Sequence, residues 1–118
     1  ELGENARSAT GYLPKSEFEA TADAFFAHPT EAVRGWERAV DAQARIVGAI
    51  KEVFRRTPRD DDEIAIVAHG GVGALLLCHL FDAAISRGYD QPPNNGGNWF
   101  AFATPGWTPR CGWEPFDT

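Results

Sequence analysis

Residues 63–72, Glu-Ile-Ala-Ile-Val-Ala-His-Gly-Gly-Val, limit the fold more than any other stretch of this chain. Ile64 to Ala68 is apolar without a polar break, which predicts a strand covered on both faces. Gly70-Gly71 stops that strand, and Val72 to Ser86 resumes a helical spacing of apolar residues. A strand, a glycine turn and a helix in that order form the first part of a βα unit. Ligands of open α/β sheets bind at the carboxyl ends of strands. The following helix offers unpaired N–H groups and a positive dipole end, which favour an anion. His69 stands at that junction, and Gly70 allows a ligand close approach to the backbone. A histidine so placed donates hydrogen bonds to an oxyanion or moves a proton near neutral pH. The bland alternative is a histidine that only satisfies the turn.

The rest of the chain supplies helices around this unit. Ser16-Glu17-Phe18-Glu19 has the capping-box form and predicts a helix to about Ala27, closed by His28-Pro29. Phe18, Ala22, Phe25 and Phe26 fall on one side of it. Trp36, Val40, Gln43, Val47, Ile50 and Phe54 predict a long amphipathic helix, with Glu37, Arg38, Asp41, Arg45 and Lys51 on its other side. Arg55, Arg56 and Pro58 close it, and Arg59 to Asp62 reads as a charged turn. Asn98 to Ala103 alternates as a second strand, and residues 104–118 read as irregular. Helices interleaved with buried strands predict an α/β protein. Two strands are too few for a stable buried sheet, so part of a larger sheet domain is expected, with self-association into a homo-oligomer through unpaired edges.

Eleven basic and 17 acidic residues give a net charge of −6, which argues against nucleic-acid and anionic-membrane partners. The longest apolar run, Gly70 to Leu77, is far short of the roughly 20 residues of a membrane helix. Cys78 and Cys111 make neither a disulfide framework nor a zinc site and fit a reduced, cytoplasmic setting. Cys78-His79 reads as a helix face and Asp60-Asp61-Asp62 as a solvated turn, so no metal and no cofactor is expected. Trp36, Trp99, Trp107 and Trp113 read as packing residues. The chain starts at Glu1 with no signal pattern, as expected of a segment within a longer protein.

Ile66-Val67-Ala68-His69-Gly70-Gly71-Val72 resembles the second-histidine motif of the histidine phosphatase (phosphoglycerate mutase-like) superfamily. Leu2-Gly3-Glu4 with Gly11 is similar to the segment that carries that family's proton donor. Ser8 to Tyr12, Gly35 to Arg38 and Gly96 to Asn98 resemble a little-characterised branch of it. The resemblance implies one three-layer α/β/α domain spanning residues 1–118, incomplete at its N-terminus, and a phosphohistidine mechanism acting on a phosphate monoester. It implies catalytic roles for His69 and Glu4 and a phosphate-facing backbone at Gly70. Arg7 and Asn98 are further candidates for phosphate, weighed against a solvated arginine and a turn asparagine. The implied partner is a phosphorylated small molecule or phosphoprotein.

The family's nucleophile lies in an Arg-His-Gly motif on the first strand, and this sequence contains no Arg-His-Gly. His28 precedes a proline and His79 sits inside a helix. The parent is therefore expected to be an enzyme and this chain alone to be inactive. A non-catalytic phosphate-binding or dimerisation module on the same fold is the alternative. An α/β-hydrolase fragment needs a later G-x-S-x-G elbow, which Ile85-Ser86-Arg87-Gly88 does not match.

Overall fold

The computed structural model describes residues 1–57, 64–93, 96–103 and 106–116. The charged turn expected at Arg59 to Asp62 lies outside them. Three helices carry the core: α1 (Lys15–Ala27), α2 (Ala39–Arg56) and α3 (Gly70–Leu80). Single 3-10 turns follow at Val33–Gly35 and Arg87–Tyr89.

In α1, Ala22, Phe25 and Phe26 are buried as their spacing requires, and Phe18 packs against them half-buried. The capping box does not form. The helix begins at Lys15 after Pro14, so Ser16 lies inside the first turn and caps nothing. Pro14 is the N-cap, with φ −56° and ψ 154°, and makes no side-chain cap. In α2, Ala39, Ala42, Ile46, Val47 and Ile50 face the core. Trp36 precedes α2 yet is buried, against Phe25 and Phe18. Glu52 pairs with Arg55 and Arg56 in the last turn of α2.

Helix α3 is apolar all round and almost wholly buried, as a central helix must be. The Gln43 amide of α2 donates to the Leu75 carbonyl at 2.9 Å. The predicted run to Ser86 is corrected: α3 stops at Leu80. Asp82 takes φ +54°, and the Ala83 N–H returns to the Cys78 carbonyl at 2.9 Å. That six-to-one bond and left-handed residue end a helix in the Schellman manner. Arg87 then binds Glu19 and Asp23 of α1, tying the next turn to the first helix.

The strand expected at Ile64 to Ala68 is also corrected. These residues precede α3 unpaired, and Val67 is 89% exposed. No strand among the described residues offers them a ladder, and a strand exists only by pairing. Pairing occurs instead near the C-terminus. Strand β1 (Asn98–Trp99) runs antiparallel to β4 (Glu114–Pro115), and β2 (Phe102–Ala103) to β3 (Thr108–Pro109). The Arg110 N–H donates to the Ala101 carbonyl between the two pairs. The single strand expected over 98–103 is therefore two short ones, and the stretch expected to be irregular supplies their partners. Trp107 packs on Phe54 and Phe102, and Trp113 on Phe100, while Trp99 is partly exposed. Helices with small antiparallel sheets are compatible with an α/β fold. Among the described residues, no helix is long and apolar enough to cross a membrane.

Candidate functional site

The first turn of an α-helix leaves its N–H groups without partners inside the helix. At α3 two of them are taken by a residue 67 positions away. Glu4 Oε2 accepts from the Gly71 N–H and Oε1 from the Val72 N–H, both at 2.8 Å. This carboxylate lies where the helix dipole favours negative charge. Gly71 makes the approach possible: a Cβ there would lie 2.6 Å from Glu4 Oε1. His69 is the residue just before α3, and its carbonyl accepts from the Gly73 N–H. Its side chain is exposed and has no hydrogen-bond partner among the described residues. The Gly70 N–H likewise meets no acceptor among them.

Sequence spacing alone placed Glu4 in a loop. The structure shows what holds it there. Arg45 of α2 donates to the carbonyls of Glu1, Gly3 and Glu4 at 2.7, 2.9 and 3.3 Å. It also pairs with Glu37, whose Oε1 accepts from the Ala6 N–H. The Arg45 guanidinium holds the Glu37 carboxyl below its ordinary pKa, more than offsetting the opposing effect of burial. Arg45 and Glu37 are therefore not simply a solvated helix face, as their periodicity suggested. They clamp residues 1–6. A pair eight positions apart, one of them before the helix starts, gives no sign of this in the sequence.

Arg7 is not a solvated loop arginine. Its guanidinium carbon lies 5.0 Å from the Phe18 ring centre and 4.9 Å from that of Trp36, within cation–π range. Its Nε donates to Asn5 Oδ1 at 3.1 Å, and Nη2 stands 3.8 Å from Glu4 Oε2. Asn5 is buried, and its Nδ2 has no hydrogen-bond partner among the described residues. The sequence reading missed Asn5, whose only signal is its place beside Glu4.

On the other side of the helix end lies Gln91, which was also missed. A Cβ on Gly70 would come 2.2 Å from Gln91 Nε2, so the Gln91 amide packs directly against the glycine backbone. Asn98 donates to Gln91 Oε1 at 2.8 Å. The structure thus gathers Glu4, Arg7, Gln91 and, through Gln91, Asn98 about the start of α3, with His69 and Gly70 in the chain itself. The remaining histidines lie elsewhere: His28 stands 3.4 Å from Glu31 at the end of α1, and His79 packs on Trp107. Cys78 is buried, which pushes its thiol pKa up. No group of three metal-ligating side chains occurs among the described residues.

A family model for the histidine phosphatase superfamily (branch 1) matches residues 10–110. No curated protein matches the chain. His69, Gly70, Gln91 and Asn98 fall within the matched stretch, and Glu4 and Arg7 precede it. With most of its length matched, the chain belongs to the histidine phosphatase superfamily (branch 1).

Proposed function

We propose that this chain carries the second-histidine half of a phosphomonoesterase site, within a three-layer α/β/α domain whose nucleophile is not in this chain. Family membership supports a phosphatase-like or phosphate-binding role. The observation that carries the finer reading is the seat of Glu4 on the Gly71 and Val72 N–H groups, beside His69. In this reading a histidine nitrogen attacks phosphorus and the P–O bond to the leaving group breaks. The His69 imidazole, the Gly70 N–H and Arg7 stabilise the charge on the transferring phosphoryl group. Glu4 releases one oxygen from the helix, takes up a proton on it from solvent and gives that proton to the leaving oxygen. Water then attacks phosphorus, the P–N bond breaks, Glu4 accepts a proton, and inorganic phosphate leaves.

Calorimetry with inorganic phosphate and the full chain tests the site. A charge-assisted hydrogen bond lost in His69→Ala is expected to weaken binding by about tenfold or more. Unchanged affinity would make His69 structural. Turnover of a chromogenic phosphate monoester by this chain is expected to be absent. Robust turnover abolished by His69→Ala would make His69 itself the nucleophile.

The exposure of Val67 favours a second reading, a phosphate-binding module that associates with a second copy through residues 64–68. Sedimentation separates the two. A dimer that dissociates in Val67→Lys supports the module, and a monomer at all concentrations contradicts it.

A further inference from the structure

An open groove of about 440 Å³ runs between residues 7–15 and the Phe18–Trp36 pair. That size is within the range of small-molecule sites. Among the described residues, two cations line it, Arg7 and Lys15, and no carboxylate does. This is a marked local reversal in a chain of net charge −6. The other walls are apolar or aromatic: Tyr12, Leu13, Phe18 and Trp36. Tyr12 stands 92% exposed, an aromatic ring that nothing covers. Lys15 forms no ion pair among the described residues.

Arg7 joins this groove to the anion end of α3. Phe18 and Trp36 hold its guanidinium flat, Asn5 fixes its Nε, and Nη2 reaches toward the Glu4 carboxylate. A planar cation backed by two rings presents its free surface to a further flat group, and guanidinium stacks on aromatic faces. The chemistry of the groove is thus cationic and aromatic, and Arg7 links it to the proposed proton donor at 3.8 Å. We propose that the groove is the leaving-group pocket of this site and takes an aromatic ring, so that the preferred ligand is an aryl phosphate monoester. The inference rests on the phosphate-binding reading above. The phosphoryl group lies at His69 and Gly70, the ring lies over Arg7 beside Tyr12, and Lys15 adds attraction for the doubly charged ester.

The test is calorimetry of the full chain with inorganic phosphate, methyl phosphate and phenyl phosphate. Phenyl phosphate is expected to bind about tenfold more tightly than methyl phosphate. Tyr12→Ala, at an exposed position that leaves the core intact, is expected to reduce that ratio to within about threefold, and Lys15→Ala to weaken both esters alike. His69→Ala is expected to weaken all three ligands. If phenyl and methyl phosphate bind alike while His69→Ala still weakens both, the groove inference is overturned and the phosphate reading stands. A ratio that survives Tyr12→Ala overturns the inference as well. If none of the three binds, or His69→Ala changes nothing, the phosphate reading fails and the inference with it.

Discussion

At the residue scale, Glu4 and Gly71 depend on each other. Alanine normally stabilises a helix over glycine by about 1 kcal/mol. Here the added Cβ would stand 2.6 Å from the Glu4 carboxylate and must push it away. Two partly buried N–H groups then lose their acceptor, at a cost of about 1–3 kcal/mol. Gly71→Ala is therefore expected to destabilise the chain by urea denaturation. In a Glu4→Ala background the same substitution is expected to stabilise it, because nothing remains to displace. A double-mutant cycle with additive effects would contradict the contact. The sequence showed Glu4 and Gly71 as separate loop and turn residues. Their contact spans 67 positions, and no local spacing reports a pairing of that kind.

At the element scale, the clamp of α2 on residues 1–6 carries a pH dependence. Arg45 lowers the Glu37 pKa from its ordinary value of 4.5, so the folded chain binds this proton less readily than the unfolded one. The contact's stabilisation is complete above the ordinary value and is lost as pH falls through the lowered one. Asp41 and Glu52 are lowered in the same direction, Glu52 to about 2, by exposed arginine partners that add little. The readout is thus a difference. Thermal melts of wild type and Glu37→Gln should diverge above pH 4.5 and converge in stronger acid. Parallel curves throughout would remove the clamp from the account. The helices themselves were legible because their buried faces repeat in sequence, as Phe25, Phe26, Ile46 and Ile50 do. The end of α3 was not. Asp82 is a polar residue in an apolar run, and its left-handed conformation leaves no compositional mark. Ile64 to Ala68 has strand composition without a strand, because pairing belongs to neighbours and not to the segment. Residues 108–115 show the converse, a proline-rich stretch that pairs because 98–103 lies beside it.

At the scale of the whole molecule, the chain brings Glu4, Arg7 and Gln91 to the start of one buried helix, where His69 and Gly70 stand. Residues 4–7, residues 69–72, Gln91 and Asn98 contribute. The His69 motif was legible because an apolar run of strand composition and a glycine pair bracket it in sequence. The frame around it, Arg45, Asn5 and Gln91, was not, since each acts through a contact distant in sequence. The central claim is that the start of α3 is an oxyanion site shared by His69 and the backbone. An amide NMR titration of the full chain with inorganic phosphate tests it most directly. The account predicts that the Gly70, Gly71 and Val72 amides and the His69 ring shift together along one saturable curve, with Arg7 Nε following. Shifts confined to other residues, or none at phosphate concentrations that saturate a millimolar site, would contradict it.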